Sequence, residues 1–165
     1  QVGALQAFCD SYGVTLQHMK LHGAFYNTAC VTPALADAVL DGLQAVNPNI
    51  AAMVLSGSYI AKEAERRGIP VIQEVFADRG YTDEGTLVPR TEPGAFIKDS
   101  QEALERVLMM VTEGKVVTNT GNTIDIVADS VCVHGDNPEA IAFTNYIREG
   151  LTKAGVTVAN FQNRK

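Results

Sequence analysis

The sequence predicts an α/β fold in which parallel strands alternate with flanking helices. Short β-branched and aliphatic runs recur along the chain, and segments with apolar residues three and four positions apart separate them. At least four such alternations favour parallel strands joined by helical crossovers, as in a doubly wound sheet or part of a barrel. Because neither repeats nor low-complexity linkers divide the 165 residues, we expect a single domain over residues 1–165.

Each element of the first half has its own sequence signal. Thr32 followed by Pro33 predicts a helix start, since proline suits the first helical position. The apolar run 50–55 is typical of a buried strand. The predicted elements are, in order, a helix that ends at Gly13, a strand over 14–21, a helix from Pro33 to Asn47, a strand over 50–55 and a helix over 59–67.

The second half begins with a buried strand and a long connection. Asp99 and Glu102 resemble a capping box and predict a helix that Gly114 ends. The predicted elements are a strand over 69–75, this helix, a hairpin over 115–127 that turns at 119–122, a strand over 130–133, a helix opened by Asn137-Pro138 and ended by Gly155, and a final strand over 156–161.

The composition argues against several classes of partner. With 13 basic and 19 acidic residues the formal net charge is −6, and no basic face is evident, so nucleic acid is not expected. No apolar run approaches the roughly 18–20 residues of a membrane span. The odd cysteine count, without a C-x-x-C pair or a recognisable secretory signal, predicts free thiols and a cytoplasmic location.

Polar residues cluster where predicted strands end. Parallel α/β sheets place their sites at the carboxyl ends of strands, so we expect these clusters to converge around one hollow. The clusters are Lys20 and His22, Ser56 and Ser58, Glu74 with Asp78 and Arg79, and His134 with Asp136.

The connection from Glu74 to Arg90 concentrates proton-transfer and anion-binding chemistry. Glu74 leaves a buried strand and is a candidate for acid–base work. Asp78 is either a site residue or the salt-bridge partner of Arg79. Arg79 and Arg90 have the forked guanidinium that matches a carboxylate or phosphate. Lys20 has the same charge, although an outward-facing strand lysine is the alternative.

Two histidines each precede a glycine. His22 and His134 can act on a substrate, or each can simply close a strand end with a hydrogen bond. Asp136 is placed to orient an imidazole, and with both histidines it forms a conceivable metal set, although no H-E-x-x-H spacing supports one. Neither standard glycine-rich phosphate loop occurs.

Five segments together resemble the LamB/YcsF family. They are K-L-H-G-A-F-Y-N at 20–27, E-V-F-A-D-R-G-Y at 74–81, L-V-P-R at 87–90, P-G-A at 93–95 and C-V-H-G-D at 132–136. Leu21 stands where the family usually has proline. The resemblance covers the C-terminal two-thirds or so of the family pattern, whose N-terminal Asn-Cys-Asp-Leu-Gly-Glu motif is absent. We therefore expect a fragment of a longer LamB/YcsF-type domain.

The resemblance implies a barrel-like (β/α) fold of the glycoside hydrolase/deacetylase type. It also implies ATP-dependent hydrolysis of 5-oxo-L-proline to L-glutamate together with partner subunits B and C, with a divalent metal undecided. The implied catalytic residues are His22, Glu74, His134 and Asp136, and the implied substrate-binding residues are Lys20, Asn27, Asp78, Arg79 and Arg90. Alone, the chain is expected to have little or no activity and to self-associate through uncovered apolar surface.

Two alternatives belong to other functional classes. One is a metal-dependent amidohydrolase or deacetylase of carbohydrate-type substrates, by analogy of fold. The other is a non-catalytic assembly component that presents this surface to its partners.

Overall fold

The computed structural model describes residues 1–134 and 140–161. Residue contacts divide the chain into two compact units, 1–73 and 74–165, which we describe in turn. The prediction of a single domain stays a prediction. The helices are α1 (Val2–Ser11), α2 (Gly23–Val31), α3 (Pro33–Val46), α4 (Tyr59–Arg66), α5 (Ser100–Glu113) and α6 (Ala140–Lys153), and the strands are β1 (His18–Lys20), β2 (Ala51–Leu55), β3 (Val71–Phe76), β4 (Lys115–Val117), β5 (Thr123–Asp125) and β6 (Ser130–Cys132).

Parallel pairing joins the main strands in each unit. In the first unit β1 pairs with β2, with Met19 opposite Ala52, and the Ala52 amide donates to the Pro70 carbonyl just before β3. In the second unit the end of β3 pairs with β6, with Glu74 opposite Ser130. These pairings and the intervening helices confirm the predicted α/β class with parallel strands. The predicted hairpin over 115–127 is also confirmed, because β4 and β5 pair antiparallel.

The core of the first unit packs α2, α3 and α4 against β2. On α3, Ala36, Leu40 and Leu43 recur at helical spacing and are buried. Their neighbours include Val54 on β2 and Ile60 on α4. The side chain of Ser58 accepts a hydrogen bond from the Ala61 amide and caps α4, which was predicted over the same residues.

A cluster of charged residues fastens α4 to α3. The guanidinium of Arg67 donates to Glu63 at 2.6 Å, to Asp41 at 2.6 Å and to Asp37 at 2.7 Å. Glu63 also accepts from Arg66 through Nε at 2.7 Å. Hydrogen bonds from Arg66 and then Arg67 lower the pKa of Glu63 from 4.5 to about 2. The carboxylate is therefore tied to its partners in the charged form.

The apolar stripe of α1 lies on the surface. Leu5, Phe8 and Tyr12 are 53%, 67% and 83% exposed, and the helix has no buried residue. Val2, at the start of the helix, packs against the core of this unit.

One hydrophobic core cluster of the second unit lies between α5 and α6. It is formed by Ala103 and Val107 on α5 and by Ile147 and Leu151 on α6. The predicted helix start is confirmed, since Asp99 accepts from the Glu102 amide at 2.8 Å. The predicted end is confirmed as well: Gly114 is left-handed, with a φ of 65°, a conformation that a Cβ disfavours.

The connection between β3 and α5 is fastened by hydrogen bonds along its length. Asp83 accepts from Thr120 at 2.7 Å and from Asn122 at 3.0 Å, and also from Thr118, all in the β4–β5 hairpin. These hydrogen bonds, that from Thr118 first, lower the pKa of Asp83. The Asn119 amide donates to the Tyr81 carbonyl at 2.8 Å. We call this set the Asp83 clasp.

Three predictions from the sequence need correction. The final strand over 156–161 is wrong: residues 156–160 have no regular structure, and the Val156 amide bonds back to Leu151 at the end of α6. The strand over 14–21 shrinks to β1. Helix α2 was not predicted, because it starts at Gly23 without a capping side chain and its apolar residues are spread around the helix rather than along one face.

Three further predictions concern a helix start, the cysteines and membrane spans. The start of the last helix at Asn137-Pro138 lies outside the described residues. All three cysteines lie within the described residues and are thiols that form no disulfide, as predicted. Of the helices in the described ranges, none is by itself long and apolar enough to cross a bilayer; α2 and α3 meet that test only as a pair, with a bend of 112° between them.

Candidate functional site

The centre of the site is a hydrogen-bonded pair formed by His134 and Asp78. Nδ1 of His134 lies 2.6 Å from Oδ2 of Asp78. The strand register explains this meeting, because Phe76 lies opposite Cys132 and each partner follows its strand by two residues. The Phe76 ring stacks on the imidazole, with centroids 5.8 Å apart and an interplanar angle of 24°. The imidazole is thus held from one face and from one nitrogen.

The pair has a defined proton arrangement. An ionised carboxylate only accepts hydrogen bonds, so in the neutral imidazole of His134 the proton is on Nδ1 and Nε2 has the lone pair. The His134 side chain is 30% exposed, so that nitrogen can meet a ligand. Within residues 1–134 and 140–161, Oδ1 of Asp78 is buried and has no hydrogen-bond partner. An unpaired buried acceptor costs about 1–3 kcal/mol and calls for a functional or solvent explanation.

Asp78 was predicted as a site residue, with a salt bridge to Arg79 as the alternative. Its hydrogen-bond partner is His134, which lies 56 positions further along the chain. The sequence suggested Asp136 as the carboxylate that orients an imidazole. Asp136 lies outside the described residues, and Asp78 performs this role for His134.

Arg79 is buried, and its contacts are within its own loop. Its Nε donates to the Ala95 carbonyl at 2.9 Å and its Nη2 to the Val88 carbonyl at 2.6 Å. Burial, and then repulsion from Arg90, lowers the pKa of Arg79. Its guanidinium lies 5.1 Å from the centroid of the Phe96 ring. These contacts hold the connection in shape, and the assignment of Arg79 to substrate binding stays a prediction.

Arg90 lies on the surface of the same connection. Its guanidinium is 5.5 Å from the centroid of the Phe96 ring, so the ring is close to two cations. The assignment of Arg90 to substrate binding also stays a prediction.

Glu74 is only 2% exposed, as predicted for a residue at the end of a buried strand. Glu74 and Phe76 are two positions apart on β3, so their side chains leave the strand on the same face. Nearby, the buried hydroxyl of Tyr81 accepts a hydrogen bond from the Phe76 amide at 2.9 Å. Burial raises the pKa of Tyr81, and Glu74 adds to that effect. The strand end beside His134 therefore contains both a buried acid and a buried phenol.

A cavity of about 700 Å³ opens beside the histidine–aspartate pair. Its volume is within the range usual for small-molecule sites. Aromatic and aliphatic side chains form much of its wall, and Lys98 supplies a cation. The lining includes Asp78, His134, Phe96, Ile97, Lys98, Ser100, Val133, Phe143 and Tyr146. The sequence did not single out Lys98 or Tyr146, because neither follows a strand nor belongs to a recognisable motif.

The remaining predicted residues of the first unit lie around the end of β1. His22 is exposed and precedes α2 as its N-cap residue. The ammonium of Lys20 is 5.7 Å from the centroid of the Tyr26 ring. Asn27 is exposed on α2. Their convergence with His134 stays a prediction.

The metal set suggested by the sequence includes Asp136, which lies outside the described residues, so metal binding there stays a prediction. Over residues 1–134 and 140–161, no three histidine, cysteine, aspartate or glutamate side chains are grouped so as to hold a metal ion.

Known proteins are similar to this chain in sequence and in fold. A curated protein of Fusobacterium nucleatum, named as the A subunit of 5-oxoprolinase, is 56% identical over 158 residues, which make up 96% of this chain and 62% of that protein. Its namesake from Brevibacillus brevis is 46% identical, over 96% of this chain and 63% of its own length. The chain thus spans less than two-thirds of the relatives it matches.

A solved structure gives the same result. The crystal structure of the lactam utilization protein from Thermus thermophilus is 40% identical, with a TM-score of 0.87, and the match covers 98% of this chain and 64% of that one. This similarity confirms the predicted fold class. A profile of the LamB/YcsF family matches residues 1–165. The chain therefore belongs to the LamB/YcsF family, as its sequence motifs predicted.

Proposed function

We propose that this chain is part of component A of an ATP-dependent 5-oxoprolinase, which hydrolyses 5-oxo-L-proline to L-glutamate with partner subunits B and C. The observation that carries the proposal is the His134–Asp78 pair at the wall of a cavity of small-molecule size. The names of the relatives, which refer to 5-oxoprolinase and to lactam utilization, agree with lactam chemistry. Because those relatives are longer, the activity is proposed for the assembly to which this chain contributes.

Opening an unstrained lactam requires three events at one carbon–nitrogen bond. The carbonyl must be activated, a water must lose a proton as its oxygen bonds to the carbonyl carbon, and the ring nitrogen must gain a proton as it leaves. In the assembly, ATP would supply a phosphoryl group that activates the carbonyl oxygen. The ring nitrogen would leave first, and a second water would then release the phosphate from the carboxyl carbon. The chain's own residues have to bind and orient the lactam and move the proton.

His134 is the group best placed to move that proton. Asp78 fixes the imidazole with Nδ1 protonated, so Nε2 can take a proton from the attacking water. The resulting imidazolium can then give the proton to the ring nitrogen, and the aspartate stabilises the charge in the interval. Glu74, buried at the neighbouring strand end, is the second candidate for a base. The family resemblance also implies catalytic roles for His22 and Asp136 and substrate binding by Lys20 and Asn27.

The test is glutamate release from 5-oxoproline and ATP. The assay uses component A reconstituted with subunits B and C, with this chain compared with a chain that carries the family's N-terminal portion. His134→Ala should lower turnover about 10²–10⁴-fold, the usual contribution of general acid–base catalysis. His18→Ala is the matched control, since His18 is partly buried and lies 3.2 Å from Gln17. Full turnover by the His134→Ala assembly would refute the role of the pair.

A further inference from the structure

We propose that Lys98 binds the carboxylate of the substrate in the cavity beside the His134–Asp78 pair. On this view Lys98 makes the site select lactams that carry a carboxylate over neutral lactams. The inference rests on the proposed function for the identity of the ring, and it adds the residue that recognises the anionic group.

The charges around the cavity single out Lys98. Across residues 1–134 and 140–161, its side chain forms no ion pair or hydrogen bond, and it lines the cavity. Arg79 is buried and directs Nε and Nη2 to loop carbonyls. Arg90 is beside the Phe96 ring and is not among the residues that line the cavity. Lys98 is therefore the cation of the described cavity wall that is available to an anionic ligand.

The other walls suit a small ring. Phe96, Val133 and Phe143 present apolar surface, against which the ring methylenes of a lactam can pack. Tyr146 and Ser100 add hydroxyl groups that can donate to an oxygen or accept from the ring N–H. In 5-oxoproline one carbon beside the nitrogen bears the carboxylate, and the other is the amide carbonyl carbon. Since Lys98 and His134 both line the cavity, we assign the carboxylate to Lys98 and the amide to His134.

Because Lys98 is exposed, the contact is expected to contribute about tenfold in affinity, the lower end of the range for a hydrogen bond to a charged group. Such binding is made equally in the ground and transition states, so its loss should raise KM and leave kcat unchanged. A residue that merely supports the fold would lower kcat or stability instead.

The experiment compares two ligands on the component A assembly. Binding of 5-oxoproline and of 2-pyrrolidinone, which has the same lactam ring without the carboxylate, is measured by calorimetry for the wild type, Lys98→Met and Lys98→Arg. Lys115→Met is the control, because Lys115 is exposed on β4 and is not part of the cavity wall. The wild type should prefer 5-oxoproline, Lys98→Met should lose that preference about tenfold, Lys98→Arg should retain most of it, and Lys115→Met should match the wild type.

Two results would overturn the inference: a wild type that does not prefer the carboxylated ring, or a Lys98→Met variant that keeps the full preference. Glutamate release in the same preparations separates this inference from the proposed function. If glutamate is released and Lys98→Met leaves KM unchanged, the carboxylate is bound elsewhere and the proposed function stands. If no glutamate is released but the preference depends on Lys98, the binding site stands and the proposed reaction fails.

Discussion

Replacement of Gly80 by alanine should unfasten the connection that carries the site. A Cβ on residue 80 would lie 2.0 Å from the Gly94 carbonyl oxygen and 3.3 Å from Cγ2 of Val88. The distance of 2.0 Å is much shorter than van der Waals contact, and the contacted atom belongs to the backbone. The chain segments at Gly80 and Gly94 must therefore move apart. No rotamer change can relieve the clash.

The magnitude follows from the hydrogen bonds at that point. The Gly80 amide donates to the Ala95 carbonyl at 3.1 Å, and the Gly80 carbonyl accepts from the Val88 amide at 2.9 Å. The carbonyls of Ala95 and Val88 are also the acceptors for Arg79. Two backbone hydrogen bonds at about 0.5–1.5 kcal/mol each, with a charged donor at about 1.5–3 kcal/mol, give a loss of roughly 2.5–6 kcal/mol.

Urea denaturation of the wild type and Gly80→Ala measures this loss as a difference in the free energy of unfolding. Gly42→Ala is the matched control, because Gly42 is exposed in α3 and a Cβ there would meet nothing within 4 Å. That control should be stabilised by about 0.5–1 kcal/mol, the helix preference of alanine over glycine. If the free energy of unfolding of Gly80→Ala is within about 0.5 kcal/mol of the wild-type value, the close approach at Gly94 is not a constraint and the reasoning fails.

Two further predictions concern carboxylates. Asp78→Asn should lower glutamate release by about 10²-fold or more, because the amide can donate to Nδ1 and so favour the wrong tautomer of His134; equal turnover in the reconstituted assembly would contradict this. Glu63 has a lowered pKa of about 2, so its stabilising effect is present above about pH 4.5 and is lost as pH falls towards 2. The difference in unfolding free energy between the wild type and Glu63→Gln should therefore shrink from pH 7 to pH 3, and a constant difference would count against the Arg66–Arg67 pairing.

Signals that are local in sequence predicted much of the fold. Pro33 at the start of α3, Asp99 at the start of α5 and Gly114 at its end each act within one helical turn, and the structure places all three as expected. Helix α2 was missed because it has neither a capping side chain nor a clear amphipathic face. The predicted strand after Gly155 failed because β-branched residues give strand propensity without supplying a partner strand.

The site was predictable as a set of chemical groups and less so as a set of partners. His134, Asp78 and Glu74 all lie in the motifs that drew attention. The pairing of His134 with Asp78 depends on the register between β3 and β6, which the sequence does not reveal. Lys98 was missed because its importance comes from the cavity beside it and from the lack of a partner within the described ranges. Both features are properties of packing.

The Asp83 clasp has a consequence for exchanging parts between relatives. The Asp83 carboxylate accepts hydrogen bonds from the hydroxyls of Thr118 and Thr120 and from the amide of Asn122. The tip of the β4–β5 hairpin and the turn before residue 87 therefore depend on each other for these hydrogen bonds. A chimera that takes residues 82–87 from another protein without residues 118–122 would leave the carboxylate or its donors without hydrogen-bond partners. The two segments should therefore be exchanged together in any chimera, although about 30 residues of chain separate them.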